Sequence, residues 1–262
     1  MENLEVQGVD VFDLKQHERT MVFILSIFAD LGSEHTVHTL KTLGRIQMTS
    51  LLPCRSPEHR AALRDFANWS SLTTLQLNLA VPLPPSYNPS ITVDLRNHLP
   101  DFLTGWHNLT TLQIAFPLSE DESTASNITA IYSTHRIFGD RNFAAFSRLR
   151  FPKLIHLLFT DLHLAQVYHL LMFLLAHRAT LQTLELVDCG FGAGMWKALF
   201  EFMAQAMQLT EFRIRNTRHT DMYDLVPVGL LRATAREVVL NGRKYSAKAL
   251  DDELQWMELI ES

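Results

Sequence analysis

One pattern constrains this chain more than any other. An apolar triplet spaced i, i+3, i+5 recurs along it, each time ahead of a segment with a different period. The clearest copy is LQTLELVDCGFGAGMWKALFEFMAQAMQ, residues 181 to 208. Leu181, Leu184, Leu186 and Cys189 form an LxxLxLxxC skeleton whose close alternation suits a strand. From Met195 the apolar positions Leu199, Phe202, Met203 and Ala206 stand 4, 7, 8 and 11 residues on, which sets them on one face of a helix. The unit reads strand, glycine turn, helix, and by itself it cannot bury its own apolar face.

A unit of that kind needs neighbours, and the chain supplies them. Skeletons start at Leu43, Leu72, Leu109, Leu154, Leu181, Leu209 and Ala235, with intervals of 29, 37, 45, 27, 28 and 26 residues. The second and third carry the near-duplicate strings LTTLQL and LTTLQI. The first copy is read as Leu43, Ile46, Met48 and the last as Ala235, Val238, Leu240.

These residues resemble a leucine-rich repeat solenoid of the long-period kind, and Cys189 occupies the position where that family places Cys or Asn. The strings TLQTLELVDCGF, GMWKALFEF and LTEFRI further resemble the C-terminal repeats of fungal F-box and leucine-rich-repeat proteins. The fold class so implied is α/β: a curved parallel sheet of about seven strands with helices on the convex side. The family's role, holding the target protein of a cullin-type ubiquitin ligase, is what the second resemblance implies. No LPxE-type F-box segment is seen near the N-terminus, and Leu52-Pro53-Cys54 falls inside the repeats. The expectation therefore covers partner recognition and leaves adaptor binding open.

Three regions surround or interrupt the repeats. Residues 1–36 are expected to form an N-terminal helical cap, mixed in character to residue 12 and then helical through Leu14, Met21, Leu25 and Phe28. Residues 37–245 hold the repeats, with insertions near 81–90 and 117–140. The first contains VPLPPSYNP, where proline can neither donate to a ladder nor continue a helix, and the second opens on the polar run SEDESTASN. Residues 246–262 are expected to form a C-terminal capping helix. Between the repeats the run from Leu164 to His177 reads as the most apolar helix, with Leu164, Val167, Leu171, Leu174 and Leu175 inward.

Composition narrows the functional classes. A net charge of -5 lacks the basic footprint of a nucleic-acid or anionic-membrane binder. Cys54 and Cys189 are too few for a disulfide framework or a zinc quartet. The longest early apolar run, Met21 to Ala29, is too short to span a bilayer and makes a poor secretion signal. An intracellular protein, cytoplasmic or nuclear, is expected.

Between skeleton positions the strand residues point away from the core and should line the concave face. For the second strand these are Thr74, Gln76 and Asn78; for the third, Thr111, Gln113 and Ala115; for the fourth, His156, Leu158 and Thr160. Thr183, Glu185 and Val187 follow on the fifth, Glu211, Arg213 and Arg215 on the sixth, and Glu237, Val239 and Asn241 on the seventh. By the same register the first strand would contribute Arg45, Gln47 and Thr49. A long polar strand face of this kind fits a protein partner.

Catalytic readings find less support. Gly190-Phe191-Gly192-Ala193-Gly194 follows a strand and opens a helix, as a dinucleotide-binding turn would, and a nucleotide-dependent enzyme is the alternative function. The third glycine of that motif would fall at Met195, and Glu211 precedes the core of its strand. No metal-ligand spacing emerges from the twelve histidines: His17-Glu18 lacks the second histidine of HExxH, and His163, His169 and His177 do not share a helical face. No GxSxG or phosphate-binding GxxxxGK string occurs. The sequence predicts no catalytic, cofactor or metal site, and a non-catalytic interaction module.

Overall fold

The alternation in the triplets becomes backbone pairing. A computed structural model describes residues 3–6, 37–42, 46–47, 71–80, 103, 106–116, 144, 146–164, 166–192, 194–215, 235–240 and 243–245. Its strands are β1 (Asn3–Val6), β2 (Thr39–Thr42), β3 (Ile46–Gln47), β4 (Thr74–Ala80), β5 (Thr111–Ala115) and β6 (His156–Thr160). Then come β7 (His163–Leu164), helix α1 (Tyr168–Ala176), β8 (Thr183–Val187), β9 (Gly190–Phe191), helix α2 (Met195–Ala206), β10 (Leu209–Arg215), β11 (Ala235–Leu240) and β12 (Arg243–Tyr245). The class is α/β, with one sheet in the order β1-β2-β4-β5-β6-β8-β10-β11-β12. Every pairing along it is parallel except the last, β11 with β12. A second, two-stranded parallel pair joins β7 to β9.

From β4 to β11 the register follows the apolar triplets without slip. Leu75, Leu112, Leu157, Leu184, Phe212 and Val238 form one row across the sheet, and Leu77, Ile114, Phe159, Leu186, Ile214 and Leu240 form the next. Leu72, Leu109, Leu154, Leu181 and Leu209 precede them, all buried. Because side chains alternate at period 2, a one-residue slip would turn each triplet to the other face, so burial itself locks the pairing.

The strand starts share one hydrogen-bond device. The carbonyl of His38 accepts the amides of Thr73 and Thr74, and that of Thr73 accepts those of Thr110 and Thr111. Thr110, Ile155 and Gln182 continue the series toward Ile155/His156, Gln182/Thr183 and Thr210/Glu211. Each of these carbonyls takes two donors at 2.8 to 3.1 Å. At the strand ends a further amide crosses: Phe116 to Thr160, Asp161 to Val187 and Asp188 to Arg215. Asp161 and Asp188 adopt φ of 54° and 53°, a left-handed conformation that aspartate tolerates better than most residues.

Beneath the sheet, two aromatic clusters fill the space under the helices. Phe173 of α1 lies 4.6 Å from Phe146 and 6.3 Å from Phe151, ring centre to ring centre, and 4.3 Å from His177. Trp196 of α2 lies 4.4 Å from Phe191 and 6.2 Å from Phe200, which meets Phe212 at 5.4 Å. Trp196, Leu199, Phe200 and Met203 are the buried face of α2, while Phe202 is only partly covered.

Two details differ from the sequence reading. The strand beside β4 is Thr39–Thr42, so Leu40 stands opposite Leu75, and the Leu43, Ile46, Met48 frame is displaced. Ile46 instead pairs with Leu79 through the short β3. Thr42 is buried where a third apolar residue was expected, and its hydroxyl oxygen accepts the amide of Asn78 at 2.8 Å, which satisfies both polar groups. On α1 the buried residues are Leu170, Phe173 and Leu174, with Val167 just ahead, whereas Leu171 and Leu175 are half-buried. Leu164 belongs to β7, so the helix begins later than its apolar run and presents a face rotated by one residue.

Asn3–Val6, read as part of a mixed tail, is a strand that extends the sheet beyond β2. The expected helices at 14–31 and 246–262, and the insertions near 81–90 and 117–140, lie outside the described residues.

Candidate interaction face

The side of the sheet opposite the core is built by the residues that alternate with the triplets. Thr39, Thr74, Thr111, His156, Thr183, Glu211 and Glu237 form one cross-strand row. Lys41, Gln76, Gln113, Leu158, Glu185, Arg213 and Val239 form the second, and Asn78, Ala115, Thr160, Val187 and Arg215 the third. The structure thus places these residues picked from the sequence on one face: Thr74, Gln76, Asn78, Thr111, Gln113, His156, Thr183, Glu185, Glu211, Arg213 and Arg215. Thr39 and Lys41 take the places assigned to Arg45 and Gln47, because the first strand lies earlier in the chain than its apolar pattern suggests. Thr49 and Asn241 lie outside the described residues.

Exposure grades along the face. His156 and Arg215 are exposed, and Thr74, Gln76, Asn78, Thr111, Gln113, Thr183, Glu211 and Arg213 are half-buried. Glu185 is buried, and the reason is electrostatic. Its Oε1 lies 2.9 Å from Arg215 Nη2 and its Oε2 lies 3.6 Å from Arg213 Nη1. Arg213 Nη2 also donates to Glu211 Oε2 at 2.8 Å. One carboxylate set between two guanidiniums is a partnered charge, which makes its burial tolerable. A glutamate and an arginine 28 residues apart, the repeat interval, were the sequence signal for this network.

The glycine turn is placed differently from a phosphate cradle. Gly190 and Phe191 are the strand β9, and the amides of Gly190 and Gly192 donate to the carbonyls of Leu162 and Leu164 at 3.0 Å each. Gly194 adopts φ of 72° at the start of α2, a conformation that suits glycine. Cys189, at the end of the same skeleton, is fully buried with its Sγ toward the carbonyls of Val187 and Phe159, and burial pushes its thiol up to about 12.

His177 closes the loop between α1 and β8. Its Nδ1 lies 2.7 Å from the Phe173 carbonyl and its Nε2 accepts the Phe151 amide at 2.9 Å, so the ring is neutral with the proton on Nδ1. Burial depresses its pKa below the ordinary histidine value; the Phe173 hydrogen bond opposes that shift and the Arg150 charge reinforces it. Among the described residues, no three His, Cys, Asp or Glu side chains converge as a metal site. No helix among them is long and apolar enough to cross a membrane. Comparisons of the chain with protein-family models, with curated proteins and with solved structures find no match.

Proposed function

We propose that this chain is a non-catalytic protein-recognition module of the leucine-rich repeat solenoid type, which holds a protein partner on the strand face opposite its core. The observation that carries the reading is the set of three outward rows. They form one continuous, largely polar surface across β2 to β10, while the described triplet residues from β4 to β10 that face the other way are buried in the core. A regular lattice of that kind offers a partner many contacts at fixed spacing without any reorganisation of the sheet.

The register supports the solenoid part of the proposal. Neighbouring triplets align although 26 to 37 residues, and in one case 45, separate them, and the same two-donor carbonyl recurs at five successive strand starts. The resemblance to fungal F-box proteins extends the proposal to target recognition for a cullin-type ligase inside the cell. That extension rests on the strings at residues 180 to 214 and not on the face itself.

Photo-crosslinking from native extract tests it. A benzophenone amino acid at Gln113 should yield a discrete crosslinked protein, and the same group at Lys197, on the exposed side of α2, should not. Crosslinking from Lys197 alone would overturn the assignment of the face. Recovery of a cullin adaptor with the partner would support the ligase reading. A rise in melting temperature with millimolar NAD or NADP would favour the nucleotide enzyme instead.

A further inference from the structure

We propose that Arg213 and Arg215 of β10, braced by Glu185 of β8, are the contact point for an acidic segment of the protein partner. The proposal rests on the interaction-face reading and adds the chemistry of what binds there. Two residues apart on one strand, the two arginines project on the same side of the sheet. Glu185 stands directly opposite Arg213 and reaches both guanidiniums.

Exposure makes the cluster asymmetric. The carboxylates of Glu185 and Glu211 sit low, with 11% and 15% of their side chains exposed, whereas Arg213 and Arg215 show 37% and 48%. Among the described side chains the charges are balanced in number, two carboxylates and two guanidiniums, yet the atoms presented outward belong mainly to the cations. Arg215 contacts Glu185 through one terminal nitrogen, and a guanidinium carries five N–H donors in a fixed fork. A carboxylate arriving from solvent can take the outer donors while Glu185 keeps the fork in position, so little side-chain entropy remains to be lost on binding.

The surroundings favour the same ligand. Half-buried Val187 and Leu158 lie on one side, and buried Val239 on the other, which lowers the local dielectric around an incoming charge. The chain's net charge of -5 does not cancel the attraction, because charges beyond about 8 Å are screened at physiological salt. Acidic side chains interleaved with small apolar ones match this chemistry better than a uniformly acidic run does.

Fluorescence anisotropy with the full chain tests the assignment, using a labelled peptide of alternating glutamate and valine beside its glutamine counterpart. The glutamate peptide should bind, the glutamine peptide should not, and Arg215→Gln should weaken binding about tenfold or more. Arg215→Lys keeps the charge but loses the fork and should fall between the two. Arg215→Gln removes one of the two cations beside buried Glu185 and should lower the melting temperature, so binding is compared at a temperature where circular dichroism shows the variant folded. Arg215→Lys, which keeps the charge, should melt close to the parent. Equal binding of both peptides, or undiminished binding to a folded Arg215→Gln chain, would overturn the proposal. If Gln113 still crosslinks a partner after that result, only the acidic assignment falls; if Gln113 crosslinks nothing, the face reading beneath it falls too.

Discussion

Replacing His177 by phenylalanine tests how the α1 unit is fastened to the strand before it. The substitution keeps the aromatic bulk that stacks on Phe151 at 5.7 Å and Phe173 at 4.3 Å, but removes both ring nitrogens. The Phe151 amide then loses its acceptor and the Phe173 carbonyl loses one donor. Leaving a buried amide unsatisfied costs about 1 to 3 kcal/mol. The parent should therefore be more stable than His177→Phe by that amount at pH 7.5, or roughly 2 to 12 °C in melting temperature for a chain of this size.

The gap should then close with acid, and the sign follows from linkage. His177 is depressed below the ordinary value of about 6.5, so the unfolded chain takes up this proton at higher pH than the folded one. Its contribution is fully present above that value and is lost as pH falls toward the folded pKa, with a slope of at most about 1.4 kcal/mol per pH unit. Every other histidine is common to both proteins, so its contribution cancels in the difference. Urea unfolding followed by circular dichroism from pH 7.5 to pH 5 gives both curves. A difference that stays constant across that range, or a variant as stable as the parent at pH 7.5, would refute the assignment of a neutral, doubly bonded imidazole.

Leu184→Ala, at a fully buried row position, should cost about 2 to 5 kcal/mol in the same assay, whereas Gln113→Ala on the outward row of β5 should stay within about 0.5 kcal/mol. In a Cys54→Ser background, Cys189 should resist iodoacetamide at pH 8 until the chain is denatured, because its thiol is buried and pushed up to about 12. Asp188→Val and Asp188→Gly both lose the carboxylate, but only valine forces a β-branched residue to φ of 53°, so Asp188→Val should be less stable than Asp188→Gly by on the order of 1 to 2 kcal/mol in thermal melting.

The parallel sheet was legible because burial is strict where the triplets fall. Leu75, Leu112, Leu154, Leu184 and Phe212 are fully buried, and a polar residue at any of them would be costly, so the spacing survives in the sequence. The first strand was misread for the converse reason. Thr42 fills a core position with a hydroxyl that has its own partner in the Asn78 amide, and the resulting Val37, Leu40, Thr42 triplet is weaker than the neighbouring Leu43, Ile46, Met48 pattern. The face of α1 was misjudged because YHLLMFLLA is apolar on nearly every side and its periodicity does not select one. What selects it is the position of Phe146, Phe151 and His177, three groups that only the fold assembles around Phe173.

The outward rows obey a looser rule, and that is why their place on the sheet was legible while the chemistry of the proposed partner was not. A core position fixes volume and polarity together, but a half-buried strand position such as Gln76 or Gln113 asks only for a side chain that tolerates water and packs on a pleated surface. The fold itself leaves residue identity there largely free. Within the described rows, complementary charges meet across strands at Glu185 and Arg213, where an arginine pair needs a buried carboxylate to hold it. The sheet gains little from such bracing, since the cost of desolvating buried Glu185 offsets much of its attraction to the two guanidiniums. The arrangement is better matched to holding two guanidiniums in one geometry than to stabilising the sheet, and Glu185→Gln separates the two roles: if bracing is the purpose, peptide binding falls by more than the modest change in melting temperature would imply.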